Sequence, residues 1–240
     1  GLKHLGSFAL LERMIKDSGI SELDVAVTVQ IKEETFYSNN KKFYLSTEEH
    51  RRFIDLCWSL DIPCGLALGP ISDLQGLSDS GLQPDFIKTL STSSSDPEFL
   101  SRMYAIYDCP KYISVGLSEF SYIEKYIIPL MKNTDRLIHT SLSHTNADQN
   151  LGDIRRLAKL GVPVSYGLHA TNHDLINTSV GAGADSVFCY FGDKSLALPD
   201  FDHAIDISDV DEVVAQVNAS FSAMGQSGAG DKKVKIKFIG

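Results

Sequence analysis

The sequence predicts an α/β fold of the (β/α)8 TIM barrel type, formed by a single domain over residues 1–240. The chain has 240 residues, close to the roughly 250 of a typical barrel of this kind. Strand-like and helix-like segments alternate along it, which is typical of a parallel sheet. Seven such strands lie in the body of the chain, and a strand-like segment at 233–239 supplies the eighth.

Apolar spacing and end signals define the elements in order. Ser7 is the expected cap of the first helix, Ser46 or Thr47 forms a capping box with Glu49, and Pro97 is a typical first-turn residue. The predicted helices are 7–18, 46–60, 71–80, 97–107, 119–131, 150–160, 171–182 and 208–223. The predicted strands are 23–31, which is rich in β-branched residues, 63–69, 85–90, 111–116, 136–141, 162–168 and 186–191.

The terminal segment 233–239 has the alternating pattern of a strand, whereas the chain opens on a short loop and a helix with no strand before it. Joining the two ends makes a strand–loop–helix unit, so we expect 233–239 to lie parallel between the strands 24–31 and 186–191. The glycine-rich segment 225–231 predicts a flexible linker. We favour a circular permutation, natural or engineered. A native C-terminal edge strand with a lost N-terminal strand is the alternative.

Composition narrows the class of partner. A net charge of −9 argues against a nucleic-acid surface but allows a small anionic or sugar ligand, because local lysines can outweigh a global charge. The four cysteines lack metal-ligand spacing, which favours free thiols in a reducing, cytoplasmic compartment. Neither a membrane span nor a signal peptide is recognised.

Polar side chains gather where the predicted strands run into the following helices, the position of chemistry in this fold. Hydroxyls, imidazoles and lysines dominate this set, so a phosphate- or carboxylate-bearing ligand is expected. Each residue also has an ordinary structural explanation, such as a strand-end hydrogen bond for His139 or a loop position for His144. The set comprises His4, Gln30, Lys32, Lys88, Ser91, Ser93, Ser114, Gly116, His139, Ser143, His144, His169, Tyr190, Asp193 and Lys194.

A series of short motifs keeps the order and spacing of one known family. The motifs are Phe238-Ile-Gly240 joined to Leu2-Lys-His-Leu-Gly6, Val27-Thr-Val-Gln30, Phe86-Ile-Lys-Thr-Leu-Ser91, Ile113-Ser-Val-Gly116, Leu137-Ile-His-Thr140, Ser165-Tyr-Gly-Leu-His169 and Cys189-Tyr-Phe191. They resemble the barrel of the sialic acid synthase (N-acetylneuraminate synthase, NeuB-like) family over most of the chain.

The resemblance implies a barrel that condenses phosphoenolpyruvate with an N-acetylated amino sugar, using a divalent metal (Mn²⁺ or Mg²⁺) that two histidines hold. It assigns His169 as a metal ligand and His169, Lys88 and His139 as catalytic residues. The substrate-binding residues that it implies are Gln30, Lys88, Ser91, Ser114, His4 and His144. A homodimer is a further expectation.

The chain departs from the family pattern at several of these positions. The second metal ligand falls on Tyr190, the acidic residue of the first strand on Phe238, and a strand lysine on Thr28. The family's C-terminal antifreeze-like domain is not expected here. A rearranged metal site of His139, His144 and His169 is one alternative.

Two functions therefore stay open. One is a transferase of carbohydrate biosynthesis that forms a C–C bond from phosphoenolpyruvate and an amino-sugar-type aldehyde. The other is a catalytically degenerate barrel that serves as a binding module, an assembly subunit or an engineered scaffold.

Overall fold

The computed structural model describes residues 7–31, 45–69, 71–196, 202–225 and 234–238. The strands are β1 (Val25–Gln30), β2 (Cys64–Leu68), β3 (Phe86–Thr89), β4 (Lys111–Ser114), β5 (Arg136–Thr140), β6 (Val164–Gly167), β7 (Val187–Gly192), β8 (Ile205–Asp206) and β9 (Val234–Phe238). The α-helices are α1 (Phe8–Asp17), α2 (Thr47–Ser59), α3 (Ile71–Ser80), α4 (Ser91–Ser94), α5 (Pro97–Ile106), α6 (Phe120–Tyr122), α7 (Gly152–Ala158), α8 (Leu175–Gly181) and α9 (Val210–Ala223).

The helix starts follow the predicted caps. The Oγ of Ser7 accepts the Leu10 N–H at 3.3 Å. Ser46, rather than Thr47, caps α2, because its Oγ accepts the Glu49 N–H while the Glu49 carboxylate accepts the Ser46 N–H. This reciprocal pair satisfies two helix-end donors that would otherwise lack partners.

One predicted helix is irregular. In place of a single helix over 119–131, α6 continues as a π-helical turn, Ile123–Ile127, and a 3-10 turn, Ile128–Leu130. Pro129 accounts for the break, because it has no N–H to donate and its ring crowds the carbonyl four residues earlier. The single turn α4 and the two-residue strand β8 were not predicted.

The sheet is parallel, curled and built mainly of eight strands, which confirms the predicted α/β class. Strands β1 to β7 pair in sequence order, and β9 pairs with both β1 and β7. In this register Val234 lies opposite both Val25 and Val187. The pairings therefore return to their starting strand.

Alternation along the strands separates two cores. A compact cluster inside the curled sheet consists of Ala26, Phe86, Tyr112, Ile138 and Phe188. The Tyr112 ring meets Phe86 and Phe188 edge-on, with centroids 5.2 and 5.3 Å apart. The larger core, which includes Leu11, Phe53, Phe99 and Val180, fills the layer between strands and helices. Successive strand residues point to opposite faces, so each strand serves both cores.

A buried carboxylate ties the amino-terminal ends of β4 and β5. Asp135 is fully buried and accepts hydrogen bonds from the backbone N–H of Lys111 at 2.8 Å, the N–H of Lys132 at 2.7 Å and the Tyr104 hydroxyl at 2.7 Å. The Lys111 ammonium is buried too and donates to the carbonyls of Tyr107 and Cys109. Burial lowers the pKa of Lys111. This end of such a sheet is usually concerned with stability.

The four cysteines, Cys57, Cys64, Cys109 and Cys189, are free thiols, and three of them are buried. Burial raises the pKa of Cys189 to about 12, which keeps its thiol protonated and unreactive. No helix within the described ranges is long and apolar enough to cross a membrane.

Candidate active site

The alternation of side chains along each strand determines which of the predicted site residues face the interior of the sheet. Lys88, Ser114 and Tyr190 each follow a member of the interior cluster by two positions, and Gln30 follows Ala26 by four. Even spacing keeps a side chain on the same face of a strand. All four are at least nine-tenths buried. They therefore share the interior face at the carboxyl ends of their strands, the position of active sites in this kind of sheet.

Hydroxyl groups line one side of this mouth. The Oγ atoms of Ser91 and Ser114 lie 2.8 Å apart, Thr89 Oγ1 accepts the Ser114 N–H at 3.0 Å, and Thr89 also bonds the Ser94 hydroxyl. Ser93 Oγ donates to the Leu68 carbonyl on the neighbouring strand. We call these five residues, Thr89, Ser91, Ser93, Ser94 and Ser114, the hydroxyl wall. Ser91 and Ser114 form its face toward the mouth, whereas Thr89, one position after the interior residue Lys88, and its partner Ser94 are fully buried behind them. The turn α4 positions three of its members directly after β3.

Gly116 permits the close approach that the hydroxyl wall requires. A Cβ at this position would lie 2.6 Å from the backbone oxygen of Thr140 and 3.1 Å from the Oγ of Ser91. The first distance is shorter than real Cβ contacts, so only glycine fits without a shift of the backbone or the wall.

Lys88 brings a positive charge to the same region. Its side chain is 5 % exposed, its ammonium lies 5.9 Å from the centroid of the Phe188 ring, and it donates to the Thr89 carbonyl at 3.3 Å. A buried ammonium is stabilised by a negatively charged partner far better than by neutral groups. An ammonium beside a row of hydroxyls is thus suited to an anionic ligand.

The opposite side of the mouth is a group of stacked and hydrogen-bonded rings. The Tyr190 hydroxyl and the His169 Nε2 lie 2.8 Å apart. The His203 ring stacks on His169 with centroids 5.2 Å apart, and its centroid lies 4.8 Å from those of both Tyr190 and His144. His144 Nδ1 donates to Asp202 at 2.9 Å. We call His144, His169, Tyr190, Asp202 and His203 the imidazole group.

His203 and Asp202 were not predicted from the sequence, because they lie in the loop after β7, well beyond the strand end. The available signal was an Asp-His pair in a loop on the carboxyl side of the sheet. The hydrogen bond from His144 lowers the pKa of Asp202, so this carboxylate stays ionised at neutral pH.

The metal site that the resemblance implies does not fit the residues present. A metal between His169 and position 190 needs two ligand atoms that both face the ion. Here the Tyr190 hydroxyl bonds directly to His169 Nε2 at 2.8 Å, so the phenol occupies the nitrogen that would have to face an ion between the two side chains. A neutral phenol is also a poor divalent-metal ligand.

His139 belongs to the outer layer and not to the mouth. It follows the interior residue Ile138 by one position, so it faces the helices. Its Nε2–H donates to the Gln149 carbonyl at 2.8 Å, and its ring stacks on Tyr166. It lines a cavity of about 310 Å³ beside the carboxyl ends of β4 and β5, together with Gly116, Asp148 and Arg156. The alternative metal site of His139, His144 and His169 is therefore wrong, because His139 faces the helices and not the mouth.

The other residues that the resemblance assigns lie in the loop after β5, at the mouth or outside the described residues. His144 is half-exposed and lies in the loop after β5, within the imidazole group. Ser91, Ser114, Lys88 and Gln30 lie at the mouth as described above. His4 and Lys32 lie outside the described residues.

The fold and the site together define an α/β protein with a curled parallel sheet and a polar, cation-bearing mouth at the carboxyl ends of its strands. The chain belongs to the NeuB family, whose model matches residues 12–229. This membership confirms the resemblance seen in the sequence and assigns the chain to a family of carbohydrate-biosynthesis enzymes. A comparison with curated proteins gave no match.

Solved structures share the fold at low sequence identity. The N-acetylneuraminic acid (sialic acid) synthetase of Leptospira borgpetersenii serovar Hardjo-bovis matches with a TM-score of 0.81 and 19% identity, over 96% of this chain and 84% of that one. A putative spore coat polysaccharide biosynthesis protein E of Chromobacterium violaceum gives 0.78 and 16%, over 95% and 74%. The DAHP synthase of Thermotoga maritima gives 0.70 and 16%, over 92% and 66%.

Proposed function

We propose that this protein is a divergent sialic acid synthase-like enzyme that condenses phosphoenolpyruvate with an amino-sugar-type aldehyde. The observation that carries the proposal is the buried Lys88 ammonium next to the hydroxyl wall, in a member of the NeuB family. Phosphoenolpyruvate carries a carboxylate and a phosphate, and the described residues on this side of the mouth include the Lys88 ammonium and the Ser91 and Ser114 hydroxyls.

The reaction forms a bond between C3 of phosphoenolpyruvate and the aldehyde carbon. Water then adds at C2, and the C–O bond to phosphate breaks. In this proposal Lys88 holds the anionic donor, and the Ser91 and Ser114 hydroxyls orient it. Fixing both reactants in one geometry lowers the entropic part of the activation free energy. Hydrogen-bond donors that point at developing charge stabilise the transition state.

The aldehyde oxygen needs a proton or an electrophile as the new bond forms. The Tyr190 hydroxyl and His169 Nε2 share one proton across 2.8 Å, so this pair is the proposed proton source. A divalent metal, Mn²⁺ or Mg²⁺, would add Lewis acid catalysis when bound. Because the His169–Tyr190 pair does not fit that metal, each step above is assigned to the chain's own side chains.

Other finer features belong to the same proposal. The pairing of β9 between β7 and β1 supports a circularly permuted (β/α)8 barrel whose first strand is the terminal segment. Phosphoenolpyruvate is a cytoplasmic metabolite, so the proposed reaction is cytoplasmic. A homodimer stays a prediction, which light scattering on the purified protein would check.

A catalytically degenerate barrel is the second candidate function. The direct bond between Tyr190 and His169 favours it, because this bond engages the histidine that the resemblance assigns as a metal ligand. Such a barrel would retain the anion site at Lys88 and bind a carboxylate or phosphate ligand without turning it over.

Phosphate release from phosphoenolpyruvate, with N-acetylmannosamine and related aldoses as acceptors, tests catalysis. Binding is tested separately by the melting temperature, which a ligand raises by mass action. We expect phosphoenolpyruvate with Mn²⁺ to raise the melting temperature and release phosphate only with an acceptor sugar. Lys88→Met should abolish both effects, whereas the exposed Lys159→Met should change neither.

Each outcome separates the two functions. A melting shift that depends on Lys88, without phosphate release, would favour the degenerate binding barrel. If phosphoenolpyruvate does not change the melting temperature in the presence of any divalent metal, the proposed enzymatic function is wrong.

A further inference from the structure

Three potential metal ligands converge beside the mouth from two different loops. Among the residues that the structure describes, one atom each from His144, Asp202 and His203 forms a group in which all three lie within 4.8 Å of one another. His144 comes from the loop after β5, and the other two come from the loop after β7. Because β6 pairs with both β5 and β7, the two loops meet over the end of β6, next to His169.

We propose that His144, Asp202 and His203 form a divalent metal site, displaced from the His169–Tyr190 pair. Two imidazoles and a carboxylate are the protein ligands of many catalytic zinc sites, and three protein ligands leave a fourth position open for water or a substrate oxygen. The same donors suit cobalt, nickel and manganese. The site requires no bound substrate and stands independently of the proposed reaction.

The geometry needs only small changes to bind an ion. Ligand atoms at roughly 2.1 Å from a tetrahedral ion lie about 3.4 Å apart. The contact of His144 Nδ1 with Asp202 Oδ2, now 2.9 Å, must widen slightly, and the longest separation in the group must shorten. The side chains of His144 and Asp202 are 40% and 61% exposed, so both are free to adjust their rotamers.

The charges also suit a cation. Asp202 brings a carboxylate, and its Oδ2 already lies 2.9 Å from the Nδ1 atom of His144. Coordination through Nδ1 of His144 requires its ring proton to move to Nε2, which neutral histidine allows. The ion would then occupy the place of the proton that His144 and Asp202 now share.

Neighbouring rings hold the least exposed ligand in place. His203 is 3% exposed and packs against His169 and Tyr190 as well as His144. A ligand whose ring is fixed by packing loses little conformational freedom on binding. Because His203 stacks on His169, an ion bound to His203 would lie at the edge of the same mouth.

The test is metal binding by the full chain after treatment with a chelator, in the absence of phosphoenolpyruvate. Calorimetric titration with Zn²⁺ and the visible absorption of bound Co²⁺ give the stoichiometry and the coordination. We expect one ion per chain with four-coordinate Co²⁺ spectra. Asp202→Asn and His144→Gln, both at exposed side chains, should each weaken binding at least about tenfold.

Two control variants make the test specific. Tyr190→Phe and the exposed Asp211→Asn should leave the affinity within about twofold of the unmodified chain. Loss of binding with Tyr190→Phe, unchanged binding with Asp202→Asn and His144→Gln, or no stoichiometric binding would each overturn the proposal. Failure of the proposed function appears instead in the Lys88-dependent shift with phosphoenolpyruvate, which is measured separately.

Discussion

Gly116→Ala is expected to destabilise the protein and disturb the hydroxyl wall together. The added methyl group would lie 2.6 Å from the Thr140 oxygen, 2.7 Å from Thr140 Cγ2 and 3.1 Å from Ser91 Oγ. The first two contacts are closer than real Cβ atoms tolerate, and one of them is to backbone, so β4 and β5 must separate locally. Overpacking of this kind typically costs about 1–3 kcal/mol.

The expected size of the effect can be measured by heat and by denaturant. In chains of 150–250 residues, each 1 kcal/mol lowers the melting temperature by about 2–4 °C, so a cost of about 2 kcal/mol lowers it by about 4–8 °C. Urea unfolding should show a lower midpoint with an unchanged slope. Displacement of Ser91 should also weaken the melting shift with phosphoenolpyruvate.

Gly152→Ala is the matched control. A Cβ on Gly152, in the first turn of α7, meets nothing within 4 Å, and alanine favours the helix by up to about 1 kcal/mol. This variant should melt at or slightly above the temperature of the unmodified protein and bind phosphoenolpyruvate normally. Equal melting temperatures for the two variants would refute the steric argument at Gly116.

Three further predictions concern stability. Asp135→Ala leaves buried donors without their carboxylate and should lower the free energy of unfolding by about 3–5 kcal/mol. Tyr104→Phe removes only one hydrogen bond to Asp135 and should lower it by about 1 kcal/mol in the same urea titration. Similar losses for the two variants would contradict the assigned hydrogen bonds of Asp135. Deleting Val234–Phe238 removes the partner of both β1 and β7, so far-ultraviolet circular dichroism should show loss of cooperative melting, and an unchanged transition would argue against that pairing. Burial lowers the pKa of His50, so below about pH 6.5 the unfolded chain binds a proton that the folded chain does not. Lowering the pH from 7.5 to 5.5 should therefore reduce the unfolding free energy through His50 by up to about 1.4 kcal/mol, and His50→Asn should remove that part of the pH dependence; an identical pH dependence in the variant would exclude His50 as its source.

Local patterns were enough to predict most of the fold. The predicted strands lie within two residues of the observed ones at each end, because a strand buried on both faces is a short apolar run with clear boundaries. The break at Pro129 was also within reach of the sequence, since proline inside a helical pattern disrupts the hydrogen bonds of the preceding turn.

The candidate site was only partly predictable. Lys88 and Ser114 lie at strand ends, where position alone identifies them. His139 also lies at a strand end, but it follows the interior residue Ile138 by one position and therefore points to the outer face. Which of the two alternating sets of residues faces the interior depends on how the sheet curls, and this is not evident from the sequence. His203 was not predicted because the Asp-His pair alone does not indicate its contacts with His144 and His169, which come from loops that are distant in sequence.

The hydroxyl wall has a property that fixed donors lack. In the bonds between Ser91 and Ser114 and between Thr89 and Ser94, either oxygen can be the donor. In the Ser91–Ser114 pair, which faces the mouth, each hydroxyl can rotate, so this pair can present either a donor or an acceptor. A ligand could thus meet hydrogen-bond donors during one part of a reaction and acceptors during another, while no heavy atom moves. The mouth would then follow a change of charge on its ligand by turning hydroxyl protons alone.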